Sequence, residues 1–204
     1  MLFSDTYKII SAPAEGIYKD RSSKFYAYAY HVEHEEQIKN IINELKKEFY
    51  DATHHCYAYV LGFNQEVQKS NDDREPANTA GKPILRSILS KGLTNTLVVV
   101  VRYFGGKLLG VPGLINAYSE AAKDVLNHSI IIEKTVCEQH ELTFDFEHEN
   151  EAFRIIKQFG LKVIQHHHTE KISLIFDVRK TLAEQVVRAF NEKHFFEIKF
   201  IKEH

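Results

Sequence analysis

The sequence has few of the residues that build cross-linked or membrane-embedded proteins. Its 204 residues include 2 cysteines, 4 prolines and no tryptophan. Cys56 and Cys137 are too few for a disulfide framework and lack the paired spacing of a zinc ribbon, so we predict reduced thiols. The longest aliphatic run, residues 97–101, is far shorter than the roughly 18 residues of a membrane helix, and the N-terminus has no signal-peptide pattern. We therefore expect a cytoplasmic protein that does not contact a membrane.

Charge is nearly balanced over the whole chain but not along it. The composition is that of a globular protein, with 44% hydrophobic and 26% charged residues, and the net charge of −2 gives no overall positive field for nucleic acid. Residues 76–119, however, contain neither Asp nor Glu. The basic residues of this segment are Lys82, Arg86, Lys91, Arg102 and Lys107. They can form a local anion-attracting surface, unless nearby acids such as Asp72, Asp73 and Glu75 balance them in space.

Residue periodicity predicts a mixed N-terminal domain. After a turn predicted at Glu15-Gly16, period-two alternation predicts a strand over residues 24–30, and helical spacing predicts an amphipathic helix over 34–49. A strand at 56–61 precedes a long polar loop over 64–79, after which Thr79 is a plausible cap for a helix ending at Ser90. Residues 97–101 are apolar on both faces, as in a central strand covered on both sides. A glycine-punctuated loop and a helix ending near Asn127 follow.

Beyond Ile132 the pattern changes to strand, helix, strand, strand, helix, strand within about 70 residues, which is typical of a ferredoxin-like βαββαβ unit. We therefore predict an α+β chain with domains at 1–132 and 133–204. The sequence does not determine the oligomeric state, and a monomer is compatible with it. No cofactor is indicated.

The segment His54-His55-Cys56 places a thiol beside two imidazoles, which suggests a nucleophile and a base. Adjacent strand residues point to opposite faces, however, so His55 and Cys56 cannot simply pair, and a purely structural role is the alternative. A second candidate is the acidic turn with Asp72, Asp73 and Glu75, which leads into Gly81 and Lys82. Backbone donors at the start of that helix would be free to bind an anion or a carboxylate; the alternative is a solvated loop.

The third candidate is a glycine-rich turn at the carboxyl end of the predicted central strand. Its residues of interest are Arg102, Tyr103, Gly105, Gly106, Lys107, Gly110 and Gly113. By analogy with open α/β sheets, we expect the Arg102 side chain to emerge beside backbone amides and bind an anion. The turn matches neither a dinucleotide fingerprint nor a P-loop. Alternatively, the glycines only permit close packing, and Arg102 pairs with Asp51 or Glu75 to hold the fold.

The fourth candidate, His166-His167-His168, is predicted to be an exposed polar turn. Alternation allows only two of the three imidazoles to face one way, and no carboxylate triad accompanies them in the sequence.

Several of these motifs together resemble the YigZ/IMPACT family over roughly residues 18–126. They are Asp51-Ala-Thr-His-His-Cys-Tyr-Ala, Asp72-Asp73-x-Glu75-Pro76, Gly81-Lys-Pro-Ile84-Leu85, Val100-Val101-Arg102-Tyr103-Phe104-Gly105-Gly106-Lys-Leu-Leu109-Gly110 and Gly113-Leu114. Arg74 and Asn78 stand where the family commonly has glycine, and Pro112 where it has Gly or Ser. These residues argue against positive φ at 74 and 78, although asparagine tolerates that region better than most residues.

The resemblance implies two domains of fold types found on the ribosome. The first would be similar to the second domain of a small-subunit ribosomal protein and to domain IV of elongation factor G, and the second to domain V of that factor. Eukaryotic members of the family act as translational regulators. We therefore expect a non-enzymatic, translation-associated binding protein that contacts RNA, the ribosome or a translation-linked protein. A small-molecule enzyme or ligand-binding protein that uses the glycine-rich turn as an anion site is the alternative.

Overall fold

In the computed structural model, which describes residues 5–204, the chain divides into two units, each with an antiparallel sheet and helices. One unit is Tyr7–Lys134; the other is residues 135–204, with which Asp5 and Thr6 group. The α+β class is confirmed. The first four residues of the predicted domain 1–132 lie outside the described residues, and the boundary at 132/133 stays a prediction.

The first unit is built around a five-stranded sheet. In chain order its elements are β1 (Thr6–Ile10), β2 (Ala14–Asp20), β3 (Ser23–His31), α1 (Glu35–Glu48), β4 (His54–Leu61), β5 (Val67–Asn71), α2 (Gly81–Ser90), β6 (Thr96–Tyr103), α3 (Gly110–His128) and β7 (Ile131–Thr135). The sheet order is β2-β3-β6-β4-β5, with β1 and β7 paired separately. Residues 97–101 of β6 are fully buried, which confirms the predicted central strand.

Strand alternation assigns the two faces of this sheet to different helices. Val98 and Val100 of β6 pack with α2 and α3, whereas Val99 and Val101 pack with α1. Three of the buried side chains of α3 are small. Because Ala117, Ala121 and Ala122 are fully buried alanines, the helix can approach the sheet closely.

Four local predictions for this unit are wrong. Glu15 and Gly16 lie within β2 rather than at a turn, and β5 occupies part of the predicted loop 64–79. The exposed residues of β5 carry no period-two apolar pattern, and only backbone pairing with β4 makes them a strand. Thr79 does not cap α2, because its hydroxyl donates to the Pro76 carbonyl at 2.7 Å. Gly113 lies inside α3, not in a loop.

The second unit has the predicted βαββαβ order. Its elements are β8 (Cys137–Phe144), α4 (Glu149–Phe159), β9 (Lys162–His168), β10 (Ile172–Arg179), α5 (Lys180–Asn191) and β11 (Glu197–Glu203). The antiparallel sheet has the order β11-β8-β10-β9, consistent with a ferredoxin-like domain. Two details differ from the prediction. The alternation of Leu142, Phe144 and Phe146 predicts that the first strand includes Phe146, but this residue lies in a short 3-10 turn, and the three histidines end β9 instead of forming a turn. Among residues 5–204, no helix is both long and apolar enough to cross a bilayer.

Candidate functional site

The pairing of β4 with β6 brings two predicted site residues together. His54 is directly opposite Arg102, and Cys56 is opposite Val100, so all three site side chains face α2 and α3. His55 points to the other face, toward α1, as strand alternation predicts. The segment His54-His55-Cys56 is therefore split between two sides of the sheet and does not act as one catalytic group.

Arg102 is buried, contrary to the expectation of an exposed guanidinium. It is 5% exposed, and its Nη1 atom donates to Glu75 Oε1 at 2.5 Å. The guanidinium carbon lies 5.4 Å from the Phe25 ring centroid and 5.6 Å from that of Phe104. The sheet is antiparallel, so the expected similarity to parallel-strand ligand sites does not apply. Of the two acids predicted as partners of Arg102, the structure pairs it with Glu75. Asp51 instead accepts a hydrogen bond from the Tyr103 hydroxyl.

Glu75 is the centre of a buried polar cluster that we call the Glu75 cluster: Glu75, Arg102, Tyr118, Cys56 and His54. Tyr118 donates its hydroxyl to Glu75 Oε1 at 2.7 Å, and His54 Nε2 lies 3.7 Å from the same oxygen. The Cys56 sulfur lies 3.3 Å from the Tyr118 hydroxyl and 3.0 Å from the Asp72 carbonyl. Burial raises the pKa of both the Cys56 thiol and the Tyr118 hydroxyl, so both stay protonated near neutral pH.

The tautomer of His54 follows from its neighbours. Its Nδ1 atom is 2.8 Å from the Asp73 carbonyl oxygen, which can only accept, so Nδ1 carries a proton. The Nε2 atom then faces Glu75. His54 is held in one orientation between the acidic turn and the Glu75 cluster.

The acidic turn supplies the hydrogen-bond acceptor for the backbone N–H groups at the start of α2. Asp72 accepts hydrogen bonds from the backbone N–H groups of Asn78, Ala80 and Gly81 at 2.8, 3.0 and 2.8 Å. The donors that we expected to bind an external anion are therefore used, since Asp72 itself supplies the carboxylate. Asp73 likewise accepts from the His55 backbone at 2.7 Å. The turn therefore connects β5 to α2 and is hydrogen-bonded both to β4 and to the start of α2, although Arg74, Pro76 and Asn78 are exposed.

Three residues in this turn have positive φ angles without being glycine, the first of them Asp73 at 38°. The φ angles are 71° at Arg74 and 66° at Asn78, the positions where the family pattern commonly has glycine. The expectation that these side chains argue against positive φ is wrong. The hydrogen bonds of Asp72 and Asp73 hold the chain on either side, and that context overrides the local preference.

The glycine-rich turn uses its first glycine for close packing. A Cβ atom on Gly105 would lie 2.1 Å from the Ser22 carbonyl carbon, and the Gly105 N–H donates to Ser23 Oγ at 3.2 Å. Gly106 and Gly110 have φ angles of 80° and 71°. The remaining predicted residues do not join the Glu75 cluster: Tyr103 lies on the α1 face, and its bond to Asp51 raises its pKa to about 12, while Lys82 and Lys107 are exposed.

A cavity of about 430 Å³ opens above the Glu75 cluster. It is lined by Thr53, His54, Glu75, Pro76, Arg102, Phe104, Leu108, Leu109, Gly110, Val111 and Leu114. Leu108 and Val111 at its edge are 84% and 52% exposed. A single exposed apolar residue is common, but two beside one apolar opening form an exposed apolar patch. Sequence reasoning identified neither of these residues nor Tyr118 as part of the site. For Tyr118 a signal existed, since a buried tyrosine hydroxyl needs a hydrogen-bond partner.

Fold and cavity together define a two-unit α+β protein with an internally neutralised charge cluster beneath an apolar opening. The chain belongs to the IMPACT family: residues 21–126 match the Impact N-terminal domain. This range contains the whole Glu75 cluster and the cavity lining. The resemblance found in the sequence motifs is thereby confirmed.

Relatives extend the match over most of the chain. The chain is 36% identical over 174 residues to the IMPACT family member YvyE of Bacillus subtilis (strain 168), which covers 83% of this chain and 76% of that protein. It is 35% identical over 148 residues to the IMPACT family member YigZ of Escherichia coli (strain K12), which covers 68% and 72%. A crystal structure of a hypothetical protein matches with a TM-score of 0.69 at 26% identity, covering 99% of this chain and 100% of that one.

Proposed function

We propose that this chain is a translation-associated binding protein that holds an apolar segment of a protein partner at the cavity above the Glu75 cluster. The observation that supports this proposal is the exposure of Leu108 and Val111 at the mouth of a cavity whose edge is largely apolar. Exposed apolar residues around a concave opening are typical of interaction sites.

The charges favour a protein partner over RNA. Arg102 is the cation best placed at the cavity, but Glu75 neutralises it at 2.5 Å. Breaking that buried pair to bind a phosphate would leave Glu75 without its counter-ion. Lys107 is exposed and can add a charged contact at the edge, but apolar contacts supply most of the proposed interface.

The assignment to translation rests on the family. The resemblance implies that eukaryotic members regulate translation and that both domains are similar to domains found on the ribosome. An enzymatic role has less support, because the buried Cys56 thiol stays protonated and is a poor nucleophile.

The test is a pull-down with tagged full-length protein from a lysate, with and without nuclease. We expect a ribosomal or translation-factor protein to be retained after nuclease treatment. Leu108→Asp should abolish the capture, since it places a charge at the cavity mouth. Ile130→Asp is the matched control, because Ile130 is also an exposed aliphatic residue, at 66%, and does not line the cavity. Release of the partner by nuclease would instead favour RNA, and equal loss in both variants would contradict the proposed surface.

The size of the cavity supports a small-molecule ligand as a second candidate. About 430 Å³ lies within the range of roughly 300–1,000 Å³ found for ligand pockets. A thermal-shift screen of metabolites separates the two: a ligand at 100 times its dissociation constant stabilises a protein by about 2.7 kcal/mol.

A further inference from the structure

The second unit contains a group of metal-ligating side chains that is separate from the cavity. His166 and His168 lie near the end of β9, opposite Leu174 and Ile172 of β10. Directly opposed residues of an antiparallel pair point to the same face, and Leu174 and Ile172 are buried in the core. Both imidazoles therefore face the helix side of the sheet, while His167 points the other way.

Helix α4 supplies a carboxylate at the same place. Glu149 is its first residue, and the Oε1 atom lies 3.9 Å from His166 Nε2. The ring centroids of His166 and His168 are 4.1 Å apart. One ligating atom from each of the three residues lies within 4.8 Å of the other two. Sequence spacing does not point to this carboxylate, because Glu149 lies 17 positions before His166 in a different element.

Neighbouring aromatic rings restrict the two imidazoles. The Phe153 ring lies 5.8 Å from that of His166, and the Phe146 ring lies 6.0 Å from that of His168. These contacts limit the rotamers of both histidines, so the loss of side-chain freedom on binding an ion would be small.

Two imidazole nitrogens and one carboxylate oxygen are a donor set that suits zinc and similar divalent transition metals. With bonds of about 2.0–2.1 Å in tetrahedral geometry, ligand atoms stand about 3.3 Å apart. The three ligating atoms, which lie within 4.8 Å of one another, would therefore move together by up to about 1.5 Å on binding an ion. We propose that Glu149, His166 and His168 form a zinc-class metal site with an open fourth position, which links the edge strand β9 to the start of α4. The carboxylate also offsets the positive helix end that would otherwise oppose a cation.

Isothermal titration calorimetry of the chelator-treated full chain with Zn²⁺ tests the site. We expect one Zn²⁺ per chain, with affinity reduced at least about tenfold in His166→Ala and in Glu149→Gln. His167→Ala is the matched control, since it removes a neighbouring imidazole on the opposite face and should leave the affinity unchanged. Circular dichroism of each variant verifies that the fold is intact.

The pH dependence provides a second readout. Protons compete with Zn²⁺ for the imidazole nitrogens, so the affinity should fall as the solution is made more acidic. The absence of stoichiometric binding would overturn the proposal. So would equal weakening in His166→Ala and His167→Ala, which would show only nonspecific binding by surface histidines.

Discussion

Replacing Arg102 by alanine tests whether the Glu75 cluster holds the fold. The Arg102 and Glu75 side chains are 6% and 4% exposed, so the substitution leaves a buried carboxylate without its counter-ion. Removing one member of a buried pair typically costs about 3–5 kcal/mol. Arg102→Ala should therefore lower the free energy of unfolding by that amount and the melting temperature by roughly 10–20 °C. Arg188→Ala, on the exposed side of α5, should change stability by less than about 0.5 kcal/mol.

Urea unfolding followed by circular dichroism measures these values, with amide hydrogen exchange of β6 reporting on the first unit alone. A double-mutant cycle sharpens the test. Glu75→Gln keeps an acceptor for Tyr118 but leaves the buried Arg102 charge unpaired, whereas combining Glu75→Gln with Arg102→Ala removes both charges. The double variant should thus be more stable than the sum of the single effects predicts. A loss below about 1 kcal/mol for Arg102→Ala would refute the buried pair and restore the exposed guanidinium expected from the sequence.

Three further outcomes follow from the same unit. Asp72→Ala removes the acceptor for three backbone donors at the start of α2 and should cost about 1–2 kcal/mol in the same unfolding assay. In native protein treated with iodoacetamide at pH 8, Cys56 should stay unmodified while the less buried Cys137 reacts; mass spectrometry of peptides would expose any early labelling of Cys56. Burial lowers the pKa of His55 in the folded protein, so on acidification the unfolded chain binds this proton before the folded protein does. The free energy of unfolding should therefore decline as the pH falls from about 6.5 to the lower pKa of the folded state. His55→Gln should flatten that decline, and an unchanged pH profile would contradict the assignment.

Local patterns in the sequence were sufficient for most of the secondary structure. Strand β3 and helix α1 followed from apolar periods of two and 3.6. Side chains of β3 alternate between fully buried and half-buried, and α1 has one face toward the core and one toward solvent. The central position of β6 followed from its apolar residues on both faces. Strand β5 could not be predicted in this way, since all its residues are exposed and only the neighbouring edge of β4 gives it a partner.

The sequence by itself determined the fold class, the family and part of the site, including His54, Glu75 and Arg102 but not Tyr118. Only the tertiary structure decided what those residues do, because hydrogen bonds and ion pairs join positions far apart in the chain without any repeating pattern. Glu75 pairs with Arg102, which lies 27 positions later in the chain, and accepts a hydrogen bond from Tyr118, 43 positions later. Asp72 accepts from the backbone N–H groups at the start of α2 that we expected to be free. Burial makes each of these pairings energetically decisive, since a charge inside the protein must find its partner there rather than in water.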